Sequence, residues 1–148
     1  MINLKVFFIG FNKSGTTTYH DIMSQHFKCI HDVGWAKVSR YNRKDYPYRL
    51  KNYFSKADCW SDGEDPDFER LASVFPEAKF ILNDRCERNW LRSLVKHVHR
   101  PAAKLLKGSH YKEFVKKGSG REKSVIAMWL RRRRKYYERV FRFFNNQP

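Results

Sequence analysis

The tightest constraint on this chain is a buried-type strand that must become a helix across a short glycine-containing loop. Residues 5 to 17 read Lys-Val-Phe-Phe-Ile-Gly-Phe-Asn-Lys-Ser-Gly-Thr-Thr. Val6, Phe7, Phe8 and Ile9 are an unbroken β-branched and aromatic run, the pattern of a strand covered on both faces. Gly10 opens a tight turn, Gly15 admits a close ligand, and an amphipathic pattern follows at once. Against the phosphate-binding template G-x-x-x-x-G-K-[ST], Gly10, Gly15 and Thr17 fall in register. Thr16 occupies the lysine position, and the loop's lysine, Lys13, stands three residues before it. Such a loop still offers backbone N–H groups and a helix N-terminus to an anion. Its cation must approach that anion from the other side of the turn.

Asn12-Lys13-Ser14-Gly15-Thr16-Thr17 resembles the 5′-phosphosulfate loop of sulfotransferases, which reads roughly Pro-Lys-Ser-Gly-Thr-Thr. A second segment, Phe75-Pro76-Glu77-Ala78-Lys79-Phe80-Ile81-Leu82-Asn83-Asp84-Arg85, is similar to that family's second conserved strand and the arginine after it. The family places a serine eight residues past the arginine, and Ser93 stands at that spacing from Arg85. The resemblance implies a P-loop-like α/β fold and a donor, 3′-phosphoadenosine 5′-phosphosulfate (PAPS), whose desulfated product is 3′-phosphoadenosine 5′-phosphate (PAP). It implies that Lys13 neutralises charge on the leaving phosphate and that Ser14, Gly15, Thr16, Thr17 and Thr18 hold the 5′-phosphosulfate. Arg85 and Ser93 would clamp the 3′-phosphate, with no metal required. One departure is Cys86-Glu87, where the family usually has Asp-Pro after the arginine. The resemblance spans residues 5 to 148 without the family's C-terminal strand and helix, so the expectation is either a partner or second copy over the sheet edge left open, or a chain that binds donor and turns over poorly.

At 148 residues the chain is read as one domain with room for a core, and 16% aromatic residues argue against disorder. No apolar run reaches membrane-spanning length, and the N-terminus leads directly into the first strand, so a cytoplasmic protein without signal or anchor is expected. Cys29, Cys59 and Cys86 lack C-x-x-C spacing and read as reduced thiols, neither a disulfide framework nor a zinc site. The net charge of +16 suits small anionic substrates, whose local concentration a positive field raises. It also suits nucleic-acid binding, which charge alone does not distinguish.

The expected architecture is a three-layer α/β domain with a short parallel sheet flanked by helices. Val6–Ile9 should lie beside or near Lys79–Asn83. The first helix is expected from Thr16 to about Phe27, with Tyr19, Ile22, Met23, His26 and Phe27 as its buried stripe. A short strand is expected over 28–32, mixed short helix and loop over 33–66, and a helix over 67–74. Trp90, Leu91, Leu94, Val95 and Val98 mark the apolar stripe of a helix from Glu87 to about His99. A final helix from about Lys123 to Phe144 is expected to carry Ile126, Trp129, Leu130, Tyr137, Val140, Phe141 and Phe144 on one face.

Sulfuryl transfer to a hydroxyl needs a proton acceptor within hydrogen-bond reach. Two candidates remain open: Asp62, in Trp60-Ser61-Asp62-Gly63-Glu64-Asp65-Pro66, and His31 after the second strand. Lys116 to Arg121 resembles a basic element that some sulfotransferases fold over the 3′-phosphate, and otherwise reads as a solvated basic loop. Arg131 to Arg134 wraps most of a helix and reads as a solvated face, and His97 and His99 do not point together on a helix. Two competing functions remain. In a P-loop kinase or NTPase, Asp84 would hold Mg²⁺, against which stands the missing lysine after Gly15. The other is a non-catalytic basic module that binds nucleic acid or anionic glycans.

Overall fold

The computed structural model describes residues 4–41, 46–99 and 120–145. The chain forms two compact units, Met1–Asp84 and Arg85–Pro148.

The first unit carries a four-stranded sheet, β1 (Val6–Phe8), β2 (Cys29–His31), β3 (Cys59–Ser61) and β4 (Lys79–Ile81), in the order β2-β3-β1-β4. Every pairing is parallel: Phe7 lies opposite Trp60 on one side and Phe80 on the other. Between the strands run α1 (Thr16–Met23), α2 (Gly34–Ser39), α3 (Tyr46–Phe54) and α4 (Phe68–Val74).

Alternation along β1 sorts these helices onto two faces. The fully buried Phe7 ring meets Trp35 of α2 at 5.8 Å, Phe54 of α3 at 5.2 Å and Phe75, at the end of α4, at 5.8 Å. The next ring, Phe8, lies 5.2 Å from Tyr19 of α1. Val6, Phe8 and Cys59 form a cluster on this second face, against which Leu4, Met23, Cys29 and Ile81 pack. The sheet is thus held between α1 and the α2–α4 group, the layered α/β arrangement that the sequence pattern predicts. Cys29 sits beside Cys59 in register, and burial followed by the hydrogen bond with Cys29 pushes the Cys59 thiol up to about 12.

Four expectations need correction. The first helix stops at Met23, because Gln25 and His26 bond back three residues to Ile22 and Met23, and the Ser24 hydroxyl donates to the His20 carbonyl at 2.6 Å. Its expected apolar stripe is largely uncovered: Ile22 is 54% exposed, Phe27 40% and Tyr19 39%. A sheet of three-residue strands covers little more than the Thr16 and Met23 side of α1. Within 33–66 lies a whole strand, β3, at the second position of the sheet. Three residues buried on both faces give no alternation to read. The fourth strand ends at Ile81, which leaves Asn83 outside the ladder.

The second unit holds α5 (Glu87–Val98) and α6 (Glu122–Asn145). Trp90, Leu94 and Val98 are buried on α5, and Val125, Trp129, Tyr136, Tyr137 and Val140 on α6. Arg133 is buried within that α6 stripe, its guanidinium 4.5 Å from the Tyr137 ring and 5.2 Å from Trp90. The basic run is therefore no uniform solvated face. Spacing from Trp129 and to Tyr137 puts Arg133 inward, while Arg131 and Arg134 are exposed. Among the described residues, no helix is long and apolar enough to cross a membrane.

Phe7 touches rings on three helices and an adjacent strand, so Phe7→Ala should cost about 3–5 kcal/mol. Phe141→Ala, at a residue 54% exposed, should stay within about 0.5 kcal/mol. Urea unfolding followed by circular dichroism measures both, and equal losses would contradict this account of the core.

Candidate active site

The Asn83 side chain ties together the two ends of the loop between β1 and α1. Asn83 is buried, its Oδ1 accepts from the Gly10 N–H at 3.0 Å, and its Nδ2 donates to the Ser14 carbonyl at 3.4 Å. Both ends of the turn are therefore fixed to the chain just past β4. The approach is so close that a Cβ on Gly10 would sit 2.0 Å from the Asn83 carbonyl oxygen. Within the turn Lys13 has φ 66° and Gly15 φ 90°, left-handed positions that bend successive N–H groups toward a concave anion-binding shape. Ser14 is buried, and its hydroxyl makes no hydrogen bond to any described residue. A buried hydroxyl without a partner is costly unless a ligand supplies one. The loop therefore fits a bound phosphate or sulfuryl oxygen.

Lys13 is half-buried, while Thr17 and Thr18 are exposed in the first turn of α1. Thr16 is buried, and its hydroxyl donates to Asp62 Oδ1 at 3.0 Å.

The two candidate bases come together. Asp62 follows β3 and His31 ends β2, and the pairing of those strands brings His31 Nε2 within 3.8 Å of Asp62 Oδ2. His31 Nδ1 lies 2.8 Å from the Ser61 hydroxyl, and its ring lies 5.1 Å from that of His20 on α1. Asp62 has φ 65°, a conformation that a non-glycine residue keeps only when its surroundings hold it. Trp35 supplies part of that hold: its Nε1–H donates to the Ser61 carbonyl at 2.9 Å. Gly63 lies flat on the same indole, where a Cβ would meet Cε2 at 2.3 Å.

In the second unit, Arg85 is exposed immediately before Cys86, the N-cap of α5, and Ser93 is half-buried along that helix. The carbonyl of Arg85 accepts from Arg133 Nη2 at 2.6 Å. Glu87 takes two hydrogen bonds from Arg134, at 2.7 and 2.6 Å, and stands 3.7 Å from Arg133 Nη1. The Arg134 hydrogen bond holds the Glu87 carboxyl below its ordinary value, with the Arg134 and Arg133 charges adding to it. The Cys86-Glu87 departure thus has its own anchoring. Residues 116–119 of the basic 116–121 segment lie outside the described residues. Among the described residues no three His, Cys, Asp or Glu side chains gather as a metal site, and His97 and His99 are not brought into one.

Sequence reasoning missed Asn83, Ser61 and Arg133. Asn83 carried a signal, as the polar last residue of a strand expected beside or near the loop strand. Arg133 carried one in its spacing from Trp129 and Tyr137. Ser61 had none, because β3 itself was not legible.

A parallel α/β layer whose first strand feeds a glycine-containing loop and then a helix is a P-loop-like arrangement. A family model described as a sulfotransferase domain matches residues 5–147, nearly the whole chain, and the protein belongs to that family. No curated protein and no solved structure matches the chain at a significant level.

Glu87 generates a pH prediction. Its folded-state value lies below the ordinary 4.5, so its pairing stabilises the fold above that pH and is lost as pH falls through the lower, folded value. Because the carboxylate is one-third exposed the effect is small. Thermal scans from pH 6 downward, on the order of half a unit apart, should show the wild-type melting temperature falling more steeply than that of Glu87→Gln below about pH 4.5. Parallel curves would remove this pair from the acid response.

Proposed function

We propose that the protein transfers a sulfuryl group from PAPS to a hydroxyl or amine acceptor by in-line displacement. The observation that carries this reading is the Thr16–Asp62 hydrogen bond, which puts a carboxylate against an anion loop that contains a buried, unpaired Ser14 hydroxyl. PAPS, when bound, supplies a sulfur electrophile and a phosphate leaving group. The main-chain N–H groups of Ser14 to Thr18, with the Ser14, Thr17 and Thr18 hydroxyls, hold the 5′-phosphosulfate. Lys13 neutralises charge that develops on the departing phosphate, an electrostatic contribution to the transition state. The 3′-phosphate falls to Arg85 and Ser93, whose spacing matches the family's second motif.

The acceptor oxygen attacks sulfur, the S–O bond to the 5′-phosphate breaks, and PAP leaves with the electron pair. Asp62 takes the acceptor's proton, with His31 as the alternative base 3.8 Å away. The net charge of +16 favours an anionic donor and admits an acidic acceptor. The free thiols of Cys29, Cys59 and Cys86 fit a reducing, cytoplasmic setting.

Three variants test the assignment. Lys13→Ala should keep the fold, by circular dichroism, and reduce transfer by about 10²–10³. Arg85→Ala should weaken PAP far more than adenosine 5′-phosphosulfate, which has no 3′-phosphate. Asp62→Asn should reduce turnover by about 10²–10⁴ at nearly constant PAP affinity. Equal losses for the two nucleotides in Arg85→Ala would remove that residue from the clamp. Full activity in Asp62→Asn would transfer the base role to His31.

A further inference from the structure

We propose that the Thr16 side chain serves the acceptor half of the reaction: it is a positioning residue that aims the Asp62 carboxylate, tying the proton acceptor to the first residue of the donor helix. This rests on the reading of Asp62 as the base.

A threonine hydroxyl has one proton to donate. Thr16 gives it to Asp62 Oδ1 at 3.0 Å, which leaves none for a donor phosphosulfate oxygen. Thr16 is also the one buried residue of α1, whereas Thr17 and Thr18 are exposed. The neighbouring threonines therefore divide: Thr17 and Thr18 turn outward, and Thr16 turns back into the sheet edge where β3 ends. Asp62 follows a three-residue strand at a left-handed φ of 65°, which aspartate tolerates, so what Thr16 restrains is the carboxylate and not the backbone. Trp35 and Gly63 fix the backbone of that turn, and Thr16 fixes its carboxylate.

The bond also selects which oxygen works. With Oδ1 engaged by Thr16, Oδ2 receives the acceptor proton as the acceptor oxygen bonds to sulfur and PAP departs with the electron pair. His31 Nε2 lies 3.8 Å from Oδ2, close enough for its charge to act on the carboxylate but beyond direct hydrogen-bond reach, and its Nδ1 lies 2.8 Å from the Ser61 hydroxyl. Asp62 is therefore the group in contact with the acceptor, and His31 stands beside it.

The experiment compares the wild type with Thr16→Val, which keeps the branched shape without the hydroxyl, and Thr16→Ser, which keeps the hydroxyl. PAP affinity is measured by calorimetry. Turnover of PAPS is measured at saturating donor with water and a simple phenol as acceptors. Thr16→Val should bind PAP within about twofold of wild type and lose about tenfold to a hundredfold in kcat, the scale of a misplaced catalytic group. Thr16→Ser should recover most of that loss. On an Asp62→Asn background Thr16→Val should have no further effect, since it acts through that carboxylate.

A Thr16→Val protein that loses PAP affinity tenfold while keeping kcat would make the hydroxyl a donor ligand and overturn the inference. Multiplicative losses from Thr16→Val and Asp62→Asn would overturn it too. A wild type that binds PAP but turns over no PAPS would remove the base that Thr16 is said to aim. Failure of the wild type to bind PAP would instead bring down the donor reading, and this inference with it.

Discussion

The chain has to leave a fully buried strand and begin a helix within a few residues, and Asn83 is what allows it. Gly10 and Ser14 stand at the two ends of the turn, and one carboxamide bonds to both. Buried backbone groups must be paired; a side chain past β4 pairs the Gly10 N–H and the Ser14 carbonyl. Gly10 N–H can reach that carboxamide only because no Cβ intervenes. With its ends fixed, the turn can keep Lys13 and Gly15 in left-handed conformations and the Ser14 hydroxyl buried without a hydrogen bond to any described residue.

The sheet order then determines what faces this loop. β3 lies directly beside β1, so the residues that follow it emerge next to those that follow β1. Asp62 thereby meets Thr16 although 46 residues separate them in sequence. β2 pairs on the far side of β3 and delivers His31 to the same edge, where it meets Ser61 and Asp62. Parallel strands put their C-terminal ends together, which is why ligands in open α/β sheets gather there. The second unit depends on a different device. Arg133, buried against Tyr137 and Trp90, holds the carbonyl of Arg85, and Glu87 joins the same set through Arg133 and Arg134. The turn that bears Arg85 is thus anchored by side chains of α6.

The sequence made the layered α/β class legible because β1 and β4 carry dense apolar runs and the helices between them carry period. It made the loop legible because glycine spacing and the displaced lysine are local features. β3 was not legible, since Cys59-Trp60-Ser61 is short and buried on both faces and so carries neither length nor alternation. Everything that depends on β3 followed it out of view: the Thr16–Asp62 bond, the Ser61–His31 bond and the meeting of the two candidate bases. The uncovered apolar side of α1 had a different cause. Periodicity identifies an amphipathic helix, but how much of it is buried depends on sheet width, which local sequence does not encode. Arg133 was misread because a run of four arginines suggests solvent, while the stripe from Trp129 to Tyr137 runs through it.

Sulfuryl transfer from PAPS, as proposed, requires this loop, with Lys13 before Gly15 and a threonine after it, to bind a 3′-phosphorylated adenine nucleotide without a metal. Calorimetric titration of the wild-type chain with PAP in the presence of a chelator tests it most directly, with ATP–Mg²⁺ and a single-stranded oligonucleotide as comparisons. Saturable one-to-one binding of PAP that a chelator does not weaken is expected, with much weaker binding of ATP–Mg²⁺. The oligonucleotide should bind only through a steeply salt-dependent contact. Tighter binding of ATP–Mg²⁺ than of PAP, or loss of PAP binding on chelation, would contradict it.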